Sequence, residues 1–417
     1  MRSEPSKPGK RGAARVTPKP AAKPGRPLKG GKIRPVPKAQ PEVEKKPTAP
    51  AFDYVLETIP GLEAIATIEV KERFTTPPKK DRNVPGLLHM TFTGKPERLL
   101  ALRSVVAVFR RRVHAIPRPT GLLGHQYFSA ILADCSAAIA LHPEGSFTAI
   151  RLAAAGRDSS AMSRIASELA KALNLEVDVT GEDTQTLLVR LLPMQKKVEK
   201  PPRRRSRDDP PEVDEYVTVW ESLVSLSPRP LSTRSWRKAN YPGAVNACVG
   251  YAMAKLLGNA EHVINLCAGS GTILIEREQK NALGCDTSKA AREAASANGI
   301  ELADWDATAV PLEDGWADAV VADLPFGQRI GSHKDNVKLY PALLTEAARL
   351  LRPNGTAVFL TQEIRLFEEN LSPQWQIERV IPLTVGGMHP KLYVIKRLNP
   401  RAGGGAKKQK TVRPKSP

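Results

Sequence analysis

The stretch Asp323-Leu324-Pro325-Phe326-Gly327 holds residue types that could act on a planar exocyclic amine. The lone pair of such an amine, as on N2 of guanine or N6 of adenine, is delocalised into its ring, which makes the nitrogen a poor nucleophile. Asp323 Oδ and the backbone carbonyl of Leu324 or Pro325 can accept the two N–H groups and draw the nitrogen towards a tetrahedral geometry. Proline has no N–H and stiffens the loop, so carbonyls rather than donors face the amine. Phe326 offers a ring on which a base can stack. The same five residues also suit an ordinary turn at a strand end, and what decides between the readings lies upstream.

The segment Val263 to Cys267 reads as a short buried strand that runs into Ala268-Gly269-Ser270-Gly271-Thr272, which opens the apolar run Ile273-Leu274-Ile275-Glu276. Strand, glycine turn and helix start form a nucleotide-type arrangement. Two glycines let backbone approach a ligand closely, and free N–H groups at a helix start favour an anion, here the carboxylate of S-adenosylmethionine. Asn265, Cys267, Gly269, Ser270, Gly271 and Thr272 are therefore candidate cofactor contacts. Asp286, after a second strand from Ala282 to Cys285, stands where an acid takes ribose hydroxyls. Asp306, after a third short strand, stands where one accepts an adenine amino group. The spacing also fits NAD, but G-x-G-x-x-G is absent and the strand-ending Asp-Leu-Pro-Phe has no role in hydride transfer. With Asp323 delivered by the apolar strand Ala317 to Ala322, methyl transfer to an amine is the chemistry expected.

The elements around these motifs alternate strand and helix. A helix from Gly243 to Leu257 precedes the first strand, and a helix from Tyr340 to Leu351 follows the Asp323 loop. Later strands are expected at Thr356 to Thr361, Gln376 to Leu383 and Leu392 to Lys396. This order implies a mostly parallel, Rossmann-like α/β sheet at 228–397, with ligands at the strand C-termini. Upstream, 51–115 reads as a ferredoxin-like α+β unit in β-α-β-α-β order. A second α+β unit occupies 116–193, and a Pro-rich basic linker occupies 194–227.

The 417 residues carry a formal charge of +20. Residues 1–50 hold fourteen Lys or Arg against three Glu, and 398–417 hold six against none, so the two tails account for most of the excess. Both are rich in Pro, Gly and Lys and poor in aromatics, and are expected to be disordered. Such arms raise affinity for RNA without reading its sequence. Arg203-Arg204-Arg205 adds a basic cluster in the linker. No apolar run is long enough to cross a membrane, and no signal core or amphipathic transit helix is present, so a cytoplasmic, monomeric protein is expected. Cys135, Cys248, Cys267 and Cys285 form no C-x-x-C pair, so neither zinc nor disulfides are expected, and a sulfonium donor needs no metal.

The run Asp323 to Gly331 with Lys338-Leu339-Tyr340, the run Asn265 to Glu276, and Ser227-Pro228-Arg229-Pro230-Leu231-Ser232 to Arg237 together resemble the RNA guanine-N2 methyltransferases that carry a THUMP domain. The resemblance covers about the last 170 residues before the C-terminal tail and continues collinearly through 51–193. It departs from the family pattern at Asn265, usually Asp, and at Ala268, often Cys. The resemblance implies S-adenosylmethionine as cofactor, a THUMP-like RNA-binding domain at 116–193 set against the tRNA acceptor end, and structured RNA as partner. The Asp-Leu-Pro-Phe spelling is most similar to the enzymes that form N2-methylguanosine at acceptor-stem position 6. Arg229, Arg234, Arg237 and Arg329 are candidate phosphate contacts. A position 10 enzyme, a ribosomal RNA guanine-N2 enzyme, a DNA adenine-N6 enzyme and a non-catalytic RNA-binding module are the alternatives.

Overall fold

The computed structural model describes residues 50–154, 159–181, 185–198, 215–277, 281–327 and 332–399. Both tails, the Arg203-Arg204-Arg205 cluster and Arg329 lie outside the described residues.

The first lobe contains β1 (Phe52–Thr58), α1 (Glu63–Arg73), β2 (Lys79–Lys80), β3 (Leu87–Phe92), β4 (Val105–His114), α2 (His125–Ile139), β5 (Ala149–Ala154), α3 (Ser160–Leu173), β6 (Glu176–Val177), β7 (Thr186–Lys197) and β8 (Tyr216–Ser225). These strands form one eight-stranded sheet in the order β2-β3-β1-β4-β8-β7-β5-β6. Leu56, Leu88, Val108, Ile150 and Val224 pack beneath Ala66 of α1, Ile131 of α2 and Ile165 of α3. The ends of α3 are set locally. Ser159 Oγ accepts from Met162 N, and Asn174 closes the helix in the left-handed region.

The segment expected to be a linker, 194–227, instead contributes to this sheet. β7 continues to Lys197, and β8 pairs antiparallel with both β7 and β4, so the two expected α+β units share one sheet. The β-branched and aromatic residues of Tyr216 to Ser225 suit the strand, but it sits beside a basic, proline-rich run whose composition reads as a spacer. Pro96 to Ser104, expected as a helix, forms only a short 3₁₀ turn from Pro96 to Ala101.

The second lobe contains α4 (Ala247–Leu256), β9 (Val263–Asn265), α5 (Thr272–Arg277), β10 (Ala282–Gly284), α6 (Lys289–Ala297), β11 (Ala317–Asp323), α7 (His333–Leu350), β12 (Leu351–Thr361), α8 (Ile364–Glu369), β13 (Trp375–Pro382) and β14 (Lys391–Arg397). Its sheet order is β10-β9-β11-β12-β14-β13, parallel except where β14 runs against β12 and β13. β11 lies between β9 and β12 with six of its seven residues buried, as a strand covered on both faces requires. Ala317, Ala319 and Ala322 keep it thin enough for helices to pack close. The third short strand expected before Asp306 is reduced to a single bridge between Cys285 and Ala303.

The two lobes share a core. Ile59, Leu62 and Ile65 of the first pack with Val249, Met253, Leu360 and Leu392 of the second. Beside this contact Glu276, with its side chain fully buried, accepts from Arg103 Nε at 2.8 Å, Arg234 Nε at 2.9 Å and Trp236 Nε1 at 3.2 Å. A buried acid paired with two guanidiniums is costly to break from either side.

Candidate active site

The C-terminal ends of β9, β10 and β11 open on one cavity of about 810 Å³, a size suited to a cofactor plus part of a substrate. The turn after β9 forms its floor. Cys267 has φ 51°, Gly269 φ 55° and Gly271 φ 75°, values that favour glycine at two of the three positions. A Cβ built on Gly269 meets nothing within 4 Å, whereas one on Gly271 runs into Ile300. Gly269 thus leaves open space in the cavity floor, and Gly271 packs against Ile300 just beyond α6.

Asp286 ties the floor to the next strand. Its Oδ2 accepts from Gly269 N at 2.8 Å and its Oδ1 from Ser288 N at 2.9 Å. Each oxygen has a second lone pair for a ligand hydroxyl. Asp306 Oδ1 accepts from Thr308 N at 2.8 Å and Thr308 Oγ1 at 2.7 Å, which fixes the carboxylate at the cavity wall. Burial pushes the Cys267 thiol up, so it lines the wall as a neutral group.

Asp323 ends β11. Its Oδ1 is buried and has no hydrogen-bond partner among the described residues, and burial pushes its carboxyl up to about 7. The loop beyond it is clamped by α7, whose start is set by a Ser332/Asp335 capping box. Pro325 O accepts from Asn336 Nδ2 at 2.7 Å and from Tyr340 Oη at 2.9 Å, and Tyr340 Oη also contacts Thr361 Oγ1 at 2.9 Å. Burial raises the Tyr340 phenol well above its ordinary value, so it stays a donor. Both acceptor sites of the Pro325 carbonyl are thereby filled. Of the two carbonyls expected to receive an amine, the geometry leaves that of Leu324.

Cys267, Gly269, Ser270, Thr272, Asp286, Asp306, Asp323, Leu324, Pro325 and Phe326 all line this cavity. Asn265 and Gly271 stand behind its wall. Asn265 Nδ2 donates to the carbonyls of Leu266 at 3.2 Å and Val321 at 3.0 Å, bracing β9 against β11. An aspartate could not make these two bonds, so asparagine here supports the turn from behind.

The arginines divide. Arg234 is spent inside the protein, on Glu276, Leu231 O and Arg103 O, and is not a phosphate contact. Arg237 Nη2 donates to Val245 O at 3.0 Å and Thr272 Oγ1 at 2.9 Å, so it holds the start of α5 at the cavity edge. Arg229 is exposed beside a second cavity between the lobes. Asn336, Tyr340 and Trp305 belong to the site region but were not expected there. The i, i+4 spacing of Asn336 and Tyr340 puts both on one helix face and was the available signal.

A mostly parallel sheet with a glycine turn after β9, acids after β10 and after the Cys285–Ala303 bridge, and an acid-proline loop after β11 makes the second lobe a Rossmann-like α/β domain. Residues 282–388 match the family described as RMKL-like, methyltransferase domain. The chain is 33% identical over 142 residues to the mouse tRNA (guanine(6)-N(2))-methyltransferase THUMP3, covering 33% of this chain and 28% of that one. It is 29% identical over 194 residues to a tRNA (guanine(6)-N2)-methyltransferase of Thermus thermophilus, covering 42% of this chain and 56% of that one. Its matches therefore span little more than a quarter of the mouse relative and about half of the bacterial one. The fold resembles the crystal structure of TrmN from Thermus thermophilus, with TM-score 0.60 and 22% identity over 83% of this chain and 100% of that chain.

Proposed function

We propose that the chain is an S-adenosylmethionine-dependent tRNA (guanine-N2)-methyltransferase that forms N2-methylguanosine at position 6 of the acceptor stem, in the cytoplasm. The observation that carries the chemistry is Asp323 Oδ1, a buried acceptor left without a protein donor in the wall of a cavity that also holds the glycine turn. An unpaired buried acceptor costs about 1–3 kcal/mol, a cost that an N–H of the substrate recovers.

The cavity fits the cofactor: open space at Gly269, the carboxylates of Asp286 and Asp306, and a volume of about 810 Å³. When bound, S-adenosylmethionine supplies a methyl carbon activated by a sulfonium. Gly269, Ser270 and Thr272 would border its amino-acid end, Asp286 its ribose and Asp306 its adenine. Asp323 and Leu324 O accept the two N2 hydrogens of guanine and turn the lone pair towards the methyl carbon. The methylated nitrogen would shed a proton, and the Asp323 carboxylate stands where it would accept it. Phe326 holds the flipped base, and positioning supplies most of the acceleration. Extracting a paired guanine costs a few kcal/mol, which contacts to the first lobe, read as ferredoxin-like and THUMP-like, and to the basic tails would offset.

The family resemblance of the Asp-Leu-Pro-Phe loop and the names of the relatives support position 6 over position 10. Incubation with methyl-labelled S-adenosylmethionine and unmodified tRNA transcripts, followed by nuclease digestion and mass mapping, tests the reading. Label as N2-methylguanosine at position 6 is the expected result. Label at another guanine moves the docking, and label on adenine overturns the substrate.

A further inference from the structure

Asp323 Oδ1 is not alone in the cavity wall. Asn336 is fully buried on the first turn of α7, and its Oδ1 also has no hydrogen-bond partner among the described residues. Both residues line the same cavity. The amide orientation of Asn336 is fixed by chemistry, because Nδ2 donates to Pro325 O at 2.7 Å. Turning the amide over would set Oδ1 against that carbonyl, which already receives the Tyr340 hydroxyl at 2.9 Å. The amide oxygen is therefore held away from the loop as an acceptor, on a helix whose start is pinned by its own capping box.

With Asp323 and Leu324 O taking the two hydrogens of the amine, the second buried acceptor, Asn336 Oδ1, calls for a further donor beside that amine. Among the nucleobases only guanine offers one on its Watson–Crick edge, with N1–H next to N2–H₂. Adenine and cytosine place a bare ring nitrogen beside the amine, which would meet a second acceptor and be repelled. Uracil flanks its single N–H with two carbonyls.

We infer that Asn336 is the residue that selects guanine, accepting N1–H at Oδ1 while Asp323 accepts from N2. The inference rests on the proposed methylation of a base amine at this site. It assigns Asn336 two tasks through its two amide atoms: Nδ2 holds the Pro325 carbonyl, leaving that of Leu324 for the amine, and Oδ1 reads the base.

The test compares tRNA transcripts carrying guanosine or 2-aminopurine at the modified position. 2-Aminopurine keeps the reacting amine and replaces N1–H by a bare ring nitrogen. The wild-type protein is expected to prefer guanosine by about 100-fold in kcat/KM, because a site built to accept a hydrogen bond rejects an analogue that lacks the donor. In Asn336→Leu the 2-aminopurine rate should fall by about tenfold, the share lost with the Nδ2 support of Pro325 O, and the guanosine rate by about a further 100-fold, so the preference collapses. Equal losses on both substrates would reduce Asn336 to a support for the loop and overturn the inference. So would a wild-type preference below about fivefold, a result that needs no variant. If the wild-type protein methylates adenosine and no guanosine, the underlying reading fails together with the inference, and the identity of the labelled nucleoside distinguishes that case.

Discussion

Glu69 and Asp134 in the first lobe and Asp323 in the second are carboxylates withdrawn from water, yet their surroundings differ. Glu69 accepts from Arg103 N at 2.9 Å, Ser104 N at 2.9 Å and Ser104 Oγ at 2.5 Å, and pairs with Arg73 at 3.3 Å. Asp134 takes Arg112 in a two-pronged contact at 2.7 and 2.8 Å and Arg110 at 2.8 Å. Asp323 Oδ1 has no donor among the described residues. Where a buried acid only holds the fold, the chain supplies cations and N–H groups until it is satisfied. Where chemistry is expected, it leaves an oxygen bare and tolerates the desolvation. The contrast teaches that the unfilled group, not the buried charge as such, marks the site.

The most severe way to break the contrast is to remove the bare acceptor. Asp323→Ala should lower the rate of methyl transfer by about 10³-fold, with RNA affinity nearly unchanged in a filter-binding assay. A comparable loss of affinity would turn Asp323 into a docking residue. Next in size, Glu276→Ala removes a satisfied acid and strands Arg103 and Arg234, which should cost about 3–5 kcal/mol in denaturant unfolding. A cost below about 1 kcal/mol would mean that the junction is wetter than its geometry implies.

Titration gives the same comparison opposite signs in the two lobes. His114, buried against Ser222 at 2.8 Å, is lowered to about 4, mainly by burial. Its unfolded form takes a proton first as pH falls, so it removes stability between about 6.5 and 4. Asp323 is raised from 3.8 to about 7. The folded state therefore holds its proton more tightly, and stability falls as pH rises through the same window. The two slopes offset one another in the wild-type protein. Asp323→Asn should remove one of them, leaving a melting temperature that rises more steeply from pH 4 to 7 and a protein more stable than wild type at pH 8. An unchanged profile would show that Asp323 is already ionised at pH 4. Tyr340→Phe, which takes one donor from Pro325 O, should lower kcat by about tenfold, the equivalent of about 1.4 kcal/mol, without changing cofactor affinity. The smallest effect is expected for Arg229→Ala, a loss of about one unit in the salt slope of RNA binding.

The sequence made the second lobe legible because its motifs are short and contiguous. A glycine turn, two strand-ending acids and Asp323 each announce themselves within a few residues, and all converge on one cavity. β8 was hidden because composition outweighed strand propensity in the stretch around it. The fates of Arg234 and Arg237 were also hidden, since a charge reads the same in a sequence whether it meets RNA, a carboxylate or a backbone carbonyl. Asn336 escaped for a related reason. A polar residue in the first turn of a helix is ordinary, and only the placement of Pro325 O against its amide gives it a direction.

The short helix α5 has two occupied ends. Thr272, at its start, lines the cofactor cavity and receives Arg237, and Glu276, one turn later, anchors Arg103 from the other lobe. Six residues thus carry both the edge of the donor pocket and the peg on which the first lobe hangs. Where a ligand of the first lobe shifts this peg and so changes the affinity for the proposed methyl donor, thermodynamic reciprocity requires the donor to change that ligand's affinity by the same factor. Order of binding and order of release are then two readings of one quantity, set by a single turn of helix.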